Sequence, residues 1–511
     1  MENIELFPQI EEHKEDFGVF NQEVLMTILS ENSSTEIGSK FCFGDIKSAE
    51  DYASRLPLSV YDDYSALIER ERKGEKNVLT VYDNQAYLAT SGSTGIQKIF
   101  PLTKRSLDKW GDMMDRYMKK KSENRLLISF LQEPTGIEST QLMMSTYIHH
   151  LYKEGILPME NILGGEKLFF FDTPCDYFYA KLWIAFTSKR ITSLESIFLY
   201  DFLLFFKYME DNAEKVLDDM SKRHVSDDID LSLERKKSLE SMEIDPERIE
   251  EIRRECAKGY DLIVKRLWPD VKFVSGIGSR AFQTEEITSK RYLGDIPVWH
   301  YLYGASECLM AIPCRLNSYD YIFCPGHAYY EFLEAETGRL CDVQSLKLDT
   351  YYEPVITTWS GLYRYKIGDL LKHKGYYGNI PIFQFMRRKN QMLNIAGEKM
   401  GMDMLENAVL SWAKSQGIEL WQYFFYEDYE NVPACYHGVI ATLQEKKMDT
   451  KCLDEWLGKS SKDYSELREL HSIAEVKVDI VNRDCFMSIL KDHSTGKGHQ
   501  KPHHIIMSKT K

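Results

Sequence analysis

An α/β protein, with a large N-terminal domain of sheets flanked by helices and a smaller α+β C-terminal domain, is the fold class that the sequence predicts. Three observations predict it. Strand–turn–helix alternation marks the middle of the chain, at VKFVSGIGS and PVWHYLYGASE. A β-rich segment broken by glycines and turn residues runs over residues 328–385, through AYYEFLEAETGRL, EPVITTWSG and LYRYKIGDLLKH. The style then changes. MLNIAGEKMGMDMLENAVLSW reads as a strand, a turn and a helix, and WQYFFYED, HGVIATLQ and EVKVDIVN as strands with helical pieces between. That change places a boundary near residues 388–390, dividing the chain into 1–387 and 388–511.

Each element has its own signal. Phe20, Val24, Leu25 and Ile28 have the spacing of an amphipathic helix near the N-terminus. Strand signals follow around VLTVYDNQAYLATSG. Residues 182–262 read as mostly helical, densely charged after Tyr208, with a solvated helical pair at its most polar part. YFYAKLWIAF and SIFLYDFLLFF are apolar but short, and they carry Lys181 and Asp201. A membrane-spanning helix needs about 20 apolar residues, so both read as buried helices.

Composition excludes several classes. At roughly 150 residues per domain, 511 residues exceed any lone binding module or disulfide mini-protein. Lys plus Arg minus Asp plus Glu is 64 − 79, or −15, which speaks against nucleic-acid binding through bulk charge. Ten cysteines without a CxxC pair read as free thiols in a reducing compartment. The acidic start MENIELFPQIEEHKED lacks the basic and apolar regions of a signal peptide. A cytoplasmic protein with no membrane partner is expected.

Four short stretches carry chemistry. TSGSTGIQK (90–98) alternates hydroxyls with glycines after a strand, so its backbone N–H groups can turn toward phosphate oxygens while Lys98 adds charge. An ordinary Ser/Gly turn uses the same residues, and the stretch is not a GxxxxGK[ST] loop. In YGASE (303–307), the Tyr303 ring can stack on a purine and the Glu307 carboxylate can hold Mg²⁺; a buried Tyr and a capping Ser306 are the alternative. In TTWSGLYRYKIGD (357–369), Asp369 can accept hydrogen bonds from ribose hydroxyls, or simply form a turn after Gly368, and Arg364 can equally be half of a structural ion pair. In FMRRKNQMLNIAGEK (385–399), the Arg388 fork suits phosphate or ribose oxygens.

The order and spacing of these four stretches resemble the adenylate-forming superfamily of acyl-CoA synthetases, peptide-synthetase adenylation domains and luciferases. TSGSTG matches its phosphate-loop signature, although Ile96-Gln97-Lys98 replaces the usual Xaa-Pro-Lys. Within it the chain most resembles the plant auxin-responsive Gretchen Hagen 3 family of acyl acid amido synthetases and its bacterial relatives. LPLSVYDDYSALIERERKGE, LWPDVKFVSGIGS, YLYGASE, YYEPVITTWSGLYRYKIGDLL and RRKNQMLNIAGEK carry the likeness, which is weakest over residues 126–262.

The resemblance implies a two-step reaction. A carboxylate attacks the α-phosphate of ATP, giving an acyl-adenylate and pyrophosphate; an amine, usually of an amino acid, then attacks the mixed anhydride and AMP leaves. It implies that Ser91, Gly92, Ser93, Thr94 and Gly95 hold the phosphates beside Lys98, and that Tyr303 packs on adenine next to Ser306. Glu307 binds Mg²⁺, Asp369 takes the ribose hydroxyls, and Arg388 touches ribose or phosphate, with Asn390 at a hinge. The 276–279 turn borders the adenine or acyl pocket, whose other lining comes from helices around residues 126–144. The small domain is expected to be mobile and to bring in a lysine, Lys501 in preference to Lys497. His499, His503 and His504 beside it read as flexible surface histidines. The expected partners are a small carboxylic acid and an amino acid or other amine, acting on a monomer. Transfer to coenzyme A, or a catalytically silent nucleotide-binding homologue, are the alternatives.

Overall fold

The computed structural model describes residues 7–89, 98–119, 123–133, 140–172, 175–278, 289–389, 392–396, 398, 400–430, 432–443, 448–493 and 504–505. A four-stranded parallel sheet, in the order Arg125–Leu127, Ser193–Phe198, Phe273–Ile277, Val298–His300, forms one layer. Its strands are buried on both faces because helices cover both. Lys104–Lys119 and Met143–Lys153 lie on one side, and the buried helices Tyr177–Thr187 and Leu199–Lys222 on the other.

The β-barrel-like part is a nine-stranded sheet whose described pairings are antiparallel. It includes Tyr303–Ala305, Cys308–Pro313, Tyr351–Thr358, Asp369–Tyr377 and Ile380–Arg388. The N-terminal helix Phe17–Glu31 packs Val24, Leu25 and Ile28 into the same core as this sheet. Asn21 fixes its register: the side chain donates to Tyr330 O at 2.9 Å and accepts from Tyr330 N at 2.9 Å.

In the last part of the chain Cys435–Thr442 pairs with Leu420–Asp428 on one side and Lys477–Val481 on the other, backed by the helix Met402–Gln416. This α+β unit has its own core around Trp412, Tyr436 and Tyr464. Trp421, Phe424 and Phe486 instead join the core beneath Leu199–Lys222, and Arg483 pairs with Glu210 of that helix at 3.2 Å.

Two expectations are corrected. The mostly helical reading of 182–262 missed the strand Ser193–Phe198, because SLESIF runs without a break into the apolar helix that follows. Around 126–144 the described residues begin as strand, Arg125–Leu127, and only Met143 onward is helical; a short apolar run does not distinguish the two states. No helix among the described residues is long and apolar enough to cross a membrane.

Candidate active site

Asp369 and Arg388 face each other across the hairpin of Asp369–Tyr377 and Ile380–Arg388, as register partners. The approach to that hairpin is clasped by Glu353. Its carboxylate accepts from Gly368 N at 3.1 Å and from Lys389 Nζ at 2.6 Å, while Lys389 N donates to Gly368 O at 2.8 Å. Gly368 has φ of +80°, a conformation that costs a side-chain-bearing residue strain, so glycine lets the chain turn directly into Asp369. Asp369 therefore opens its strand.

Tyr303 OH donates to Asp369 Oδ2 at 2.9 Å, and Arg388 Nε lies 3.4 Å from Asp369 Oδ1. The Tyr303 ring is only 7% exposed, covered by Phe385, Tyr321 and Phe323, so it offers a base little open surface in this conformation. Ser306 and Glu307 form the turn between Tyr303–Ala305 and Cys308–Pro313 and are both half-buried. Glu307 Oε1 accepts from Tyr365 OH at 3.3 Å. Burial raises the Glu307 pKa; the Arg388 charge opposes that rise, Asp369 adds to it and Lys98 again opposes it. One carboxylate thus senses three charges from three other parts of the sequence.

Lys98 stands at the start of the strand Ile99–Thr103, its ammonium 5.4 Å from the Tyr61 ring centroid. Ser91, Gly92, Ser93, Thr94 and Gly95 lie outside the described residues, but their flanks are placed. Ala89 and Ile99 are antiparallel partners, so residues 90–98 connect two neighbouring strands. Lys501, Lys497, Asn390, Ser279, His499 and His503 also lie outside the described residues.

His504 is a correction. It is fully buried, stacks on Tyr423 with centroids 4.2 Å apart, and its carbonyl accepts from Phe425 N at 2.8 Å. It is held against the small domain's sheet. Arg364 is structural. It pairs with Glu331 at 3.1 Å, both side chains under a tenth exposed, and its Nη1 donates to Ala53 O and Leu56 O. Gly276 and Ile277 continue the strand Phe273–Ile277, so the turn expected over 276–279 does not begin at Gly276, and the backbone here is closely packed. A Cβ on Gly276 would meet Ser196 Oγ at 2.6 Å, and one on Gly278 would meet Leu199 Cδ1 at 2.6 Å.

Glu353, Lys389, Tyr365 and Tyr61 were missed. All four lie inside or beside quoted motifs, but they act through contacts between elements distant in sequence, which linear spacing does not reveal. Chemically, the cluster offers a carboxylate flanked by a phenol and a guanidinium for a diol, two cations for phosphate oxygens, and a second carboxylate for a divalent ion. Mg²⁺ is held by one or two carboxylates together with substrate phosphates. The donor set fits that mode, since Glu307 is a lone half-buried carboxylate. No group of three or more His, Cys, Asp or Glu among the described residues is placed to hold a metal.

Comparison with known proteins places the whole chain. Residues 7–298 match the model described as GH3 family N-terminal domain, 321–388 the GH3 family central domain, and 403–510 the GH3 family C-terminal domain. The chain is 28% identical to the indole-3-acetic acid-amido synthetase GH3.15 of Arabidopsis thaliana over 423 residues, covering 76% of this chain and 70% of that protein. It is 26% identical to the indole-3-acetic acid-amido synthetase GH3.8 of Oryza sativa subsp. indica, covering 80% and 72%. Its fold matches the AtGH3.15 acyl acid amido synthetase solved in complex with 2,4-DB, with a TM-score of 0.85 at 22% identity over 98% of this chain and 93% of that one. A 2-hydroxyisobutyryl-CoA ligase in the postadenylation state shares the fold more distantly, with a TM-score of 0.52 at 11% identity over 99% and 89%.

Proposed function

Because the chain belongs to the GH3 family, we propose that it is an ATP-dependent acyl acid amido synthetase. It activates a small carboxylic acid as acyl-AMP and transfers the acyl group to the amine of an amino acid. The observation that carries this reading is the convergence of Tyr303, Glu307, Asp369 and Arg388 with Lys98 in one electrostatic cluster. The relatives' activity as amido synthetases supports the amine as acceptor.

Asp369 accepts hydrogen bonds from the ribose diol, with Tyr303 OH and Arg388 fixing its carboxylate. Arg388 and Lys98 offset phosphate charge so that one anion can approach another. Ser91, Gly92, Ser93, Thr94 and Gly95 supply hydroxyl and backbone donors to the phosphates, and Ser306 borders the base. Glu307 would hold Mg²⁺, which when bound supplies further charge neutralisation at the phosphates. The domain from residue 388 onward is mobile in this reading and delivers Lys501 for adenylation; the buried His504 is held against the small domain's own sheet. The enzyme acts as a cytoplasmic monomer, a setting that suits ten unpaired cysteines.

Pyrophosphate release across a panel of aryl, indolyl and fatty acids, followed by mass detection of amides with each amino acid, tests the reading. Release that depends on acid, and amide that depends on amine, are expected. A thioester without amide, or no release from any acid, overturns it. Lys501→Ala should lower the rate of pyrophosphate release by about a hundredfold or more; a wild-type adenylation rate removes Lys501 from the mechanism.

A further inference from the structure

Beside the nucleotide site, the parallel sheet and the helices Lys104–Lys119 and Met143–Lys153 enclose a cavity of about 30 Å³. Its walls are largely apolar, Met118, Met144 and Phe169 among them, yet it is also lined by Arg125 and Glu195. These two sit on neighbouring parallel strands with side chains 5% and 7% exposed. Arg125 Nε and Nη2 each donate to the Glu195 carboxylate at 2.7 Å, and Ser193 Oγ donates to it at 3.1 Å. Arg125 Nη1 remains, buried and without a hydrogen-bond partner.

A buried guanidinium N–H without an acceptor is a standing cost to the fold, and the sheet has no need of it: well-packed apolar residues commonly replace a buried ion pair without loss of stability. Two further features connect the cavity to the reaction. Tyr301 lines it and lies two residues before Tyr303, and Tyr301 N donates to Gly276 O at 3.3 Å. Ser275 lines it and directly precedes the closely packed Gly276 on the same strand. Two residues of the cavity lining thus lie within two positions of Gly276 and Tyr303.

We propose that this cavity is the distal end of the acyl pocket, and that Arg125 selects acids bearing a neutral hydrogen-bond-accepting oxygen, a hydroxyl or a carbonyl, at the end remote from the reacting carboxylate. The proposal rests on the amido synthetase reading and names its substrate class. The oxygen is neutral because Arg125 and Glu195 already cancel each other's charge, so a second carboxylate would be buried without a counter-ion. The group is small because a cavity of about 30 Å³ leaves room for only one or two water-sized groups. The methionines on the walls adapt to differing apolar bodies between the two ends.

The test compares matched acids on the full-length protein: phenylacetic with 4-hydroxyphenylacetic acid, cinnamic with 4-hydroxycinnamic acid, and decanoic with 10-hydroxydecanoic acid. The readout is the ratio of kcat/KM values for pyrophosphate release within each pair. At least one pair should favour the oxygenated acid by about tenfold or more. The double variant Arg125→Met with Glu195→Leu, which leaves no unpaired charge, should bring that ratio close to one. Arg125→Lys, which keeps the ion pair but lacks the fork, provides the same test should the double variant fail to fold. No preference in any pair overturns the proposal and leaves the cavity to water, as does a preference that survives in a folded variant. If no acid of any kind releases pyrophosphate, the enzyme reading itself fails, a result distinct from release without preference.

Discussion

Glu307 is where residue-scale electrostatics becomes a prediction. Its carboxyl is held above the ordinary 4.5 by burial, with Arg388 and Lys98 pulling the other way. The ionised form is the one that can meet a divalent cation. Pyrophosphate release should therefore fall as pH drops through a pKa above 4.5, and added Mg²⁺, which favours the ionised form, should move that acid limb to lower pH. Glu307→Gln should erase the limb and lower kcat/KM by about a hundredfold or more. An unchanged limb in that variant assigns it to another group. His327 gives a stability counterpart. Burial, beside the Trp110 ring, depresses its pKa from 6.5 to about 4; the hydrogen bond to Leu309 O opposes that drop and the Lys109 charge adds to it. The folded state keeps this imidazole neutral where the unfolded chain would protonate it. Its contribution is thus present above pH 6.5 and is lost as pH falls toward 4, by up to about 3 kcal/mol. Urea midpoints of His327→Leu should fall less steeply than wild type across that window.

At the scale of elements, the nine-stranded sheet is fastened to the N-terminal helices by Arg364, which reaches from the strand-connecting turn to Glu331 on one side and to Ala53 O and Leu56 O on the other. Arg364→Met removes both fastenings and leaves Glu331 buried and unpaired. A loss of about 3–5 kcal/mol in denaturant unfolding is expected; a loss under about 1 kcal/mol would show that Glu331 finds another partner. The same elements show what linear reading captures. The 303–307, 357–369 and 385–399 stretches were identifiable because strand ends with Gly, Asp and Arg have a recognisable composition. Their partners were not. Glu353 clasps Gly368 and Lys389 through antiparallel pairing, and pairing depends on register between strands rather than on spacing along one.

For the molecule as a whole, the small domain is docked by Trp421, Phe424 and Phe486 on the core beneath Leu199–Lys222, with Arg483 against Glu210 at the edge. Arg483→Glu sets like charges against each other there. The radius of gyration in solution scattering should rise while the circular dichroism of the folded protein is retained; an unchanged radius would show that the apolar contact alone holds the domain.

The sequence by itself determined the α/β class and the family, because strand and helix periodicities and glycine-bearing motifs are local properties of the chain. It also supplied every member of the Tyr303, Glu307, Asp369 and Arg388 cluster. Only the tertiary structure decided that Lys98 acts on Glu307, that Arg364 is a fastener, that His504 is buried, and that Arg125 and Glu195 meet inside an apolar cavity. In each of these the deciding quantity is removal from water or proximity across strands. Both depend on what the rest of the chain packs against a residue, and no stretch of sequence around it records that.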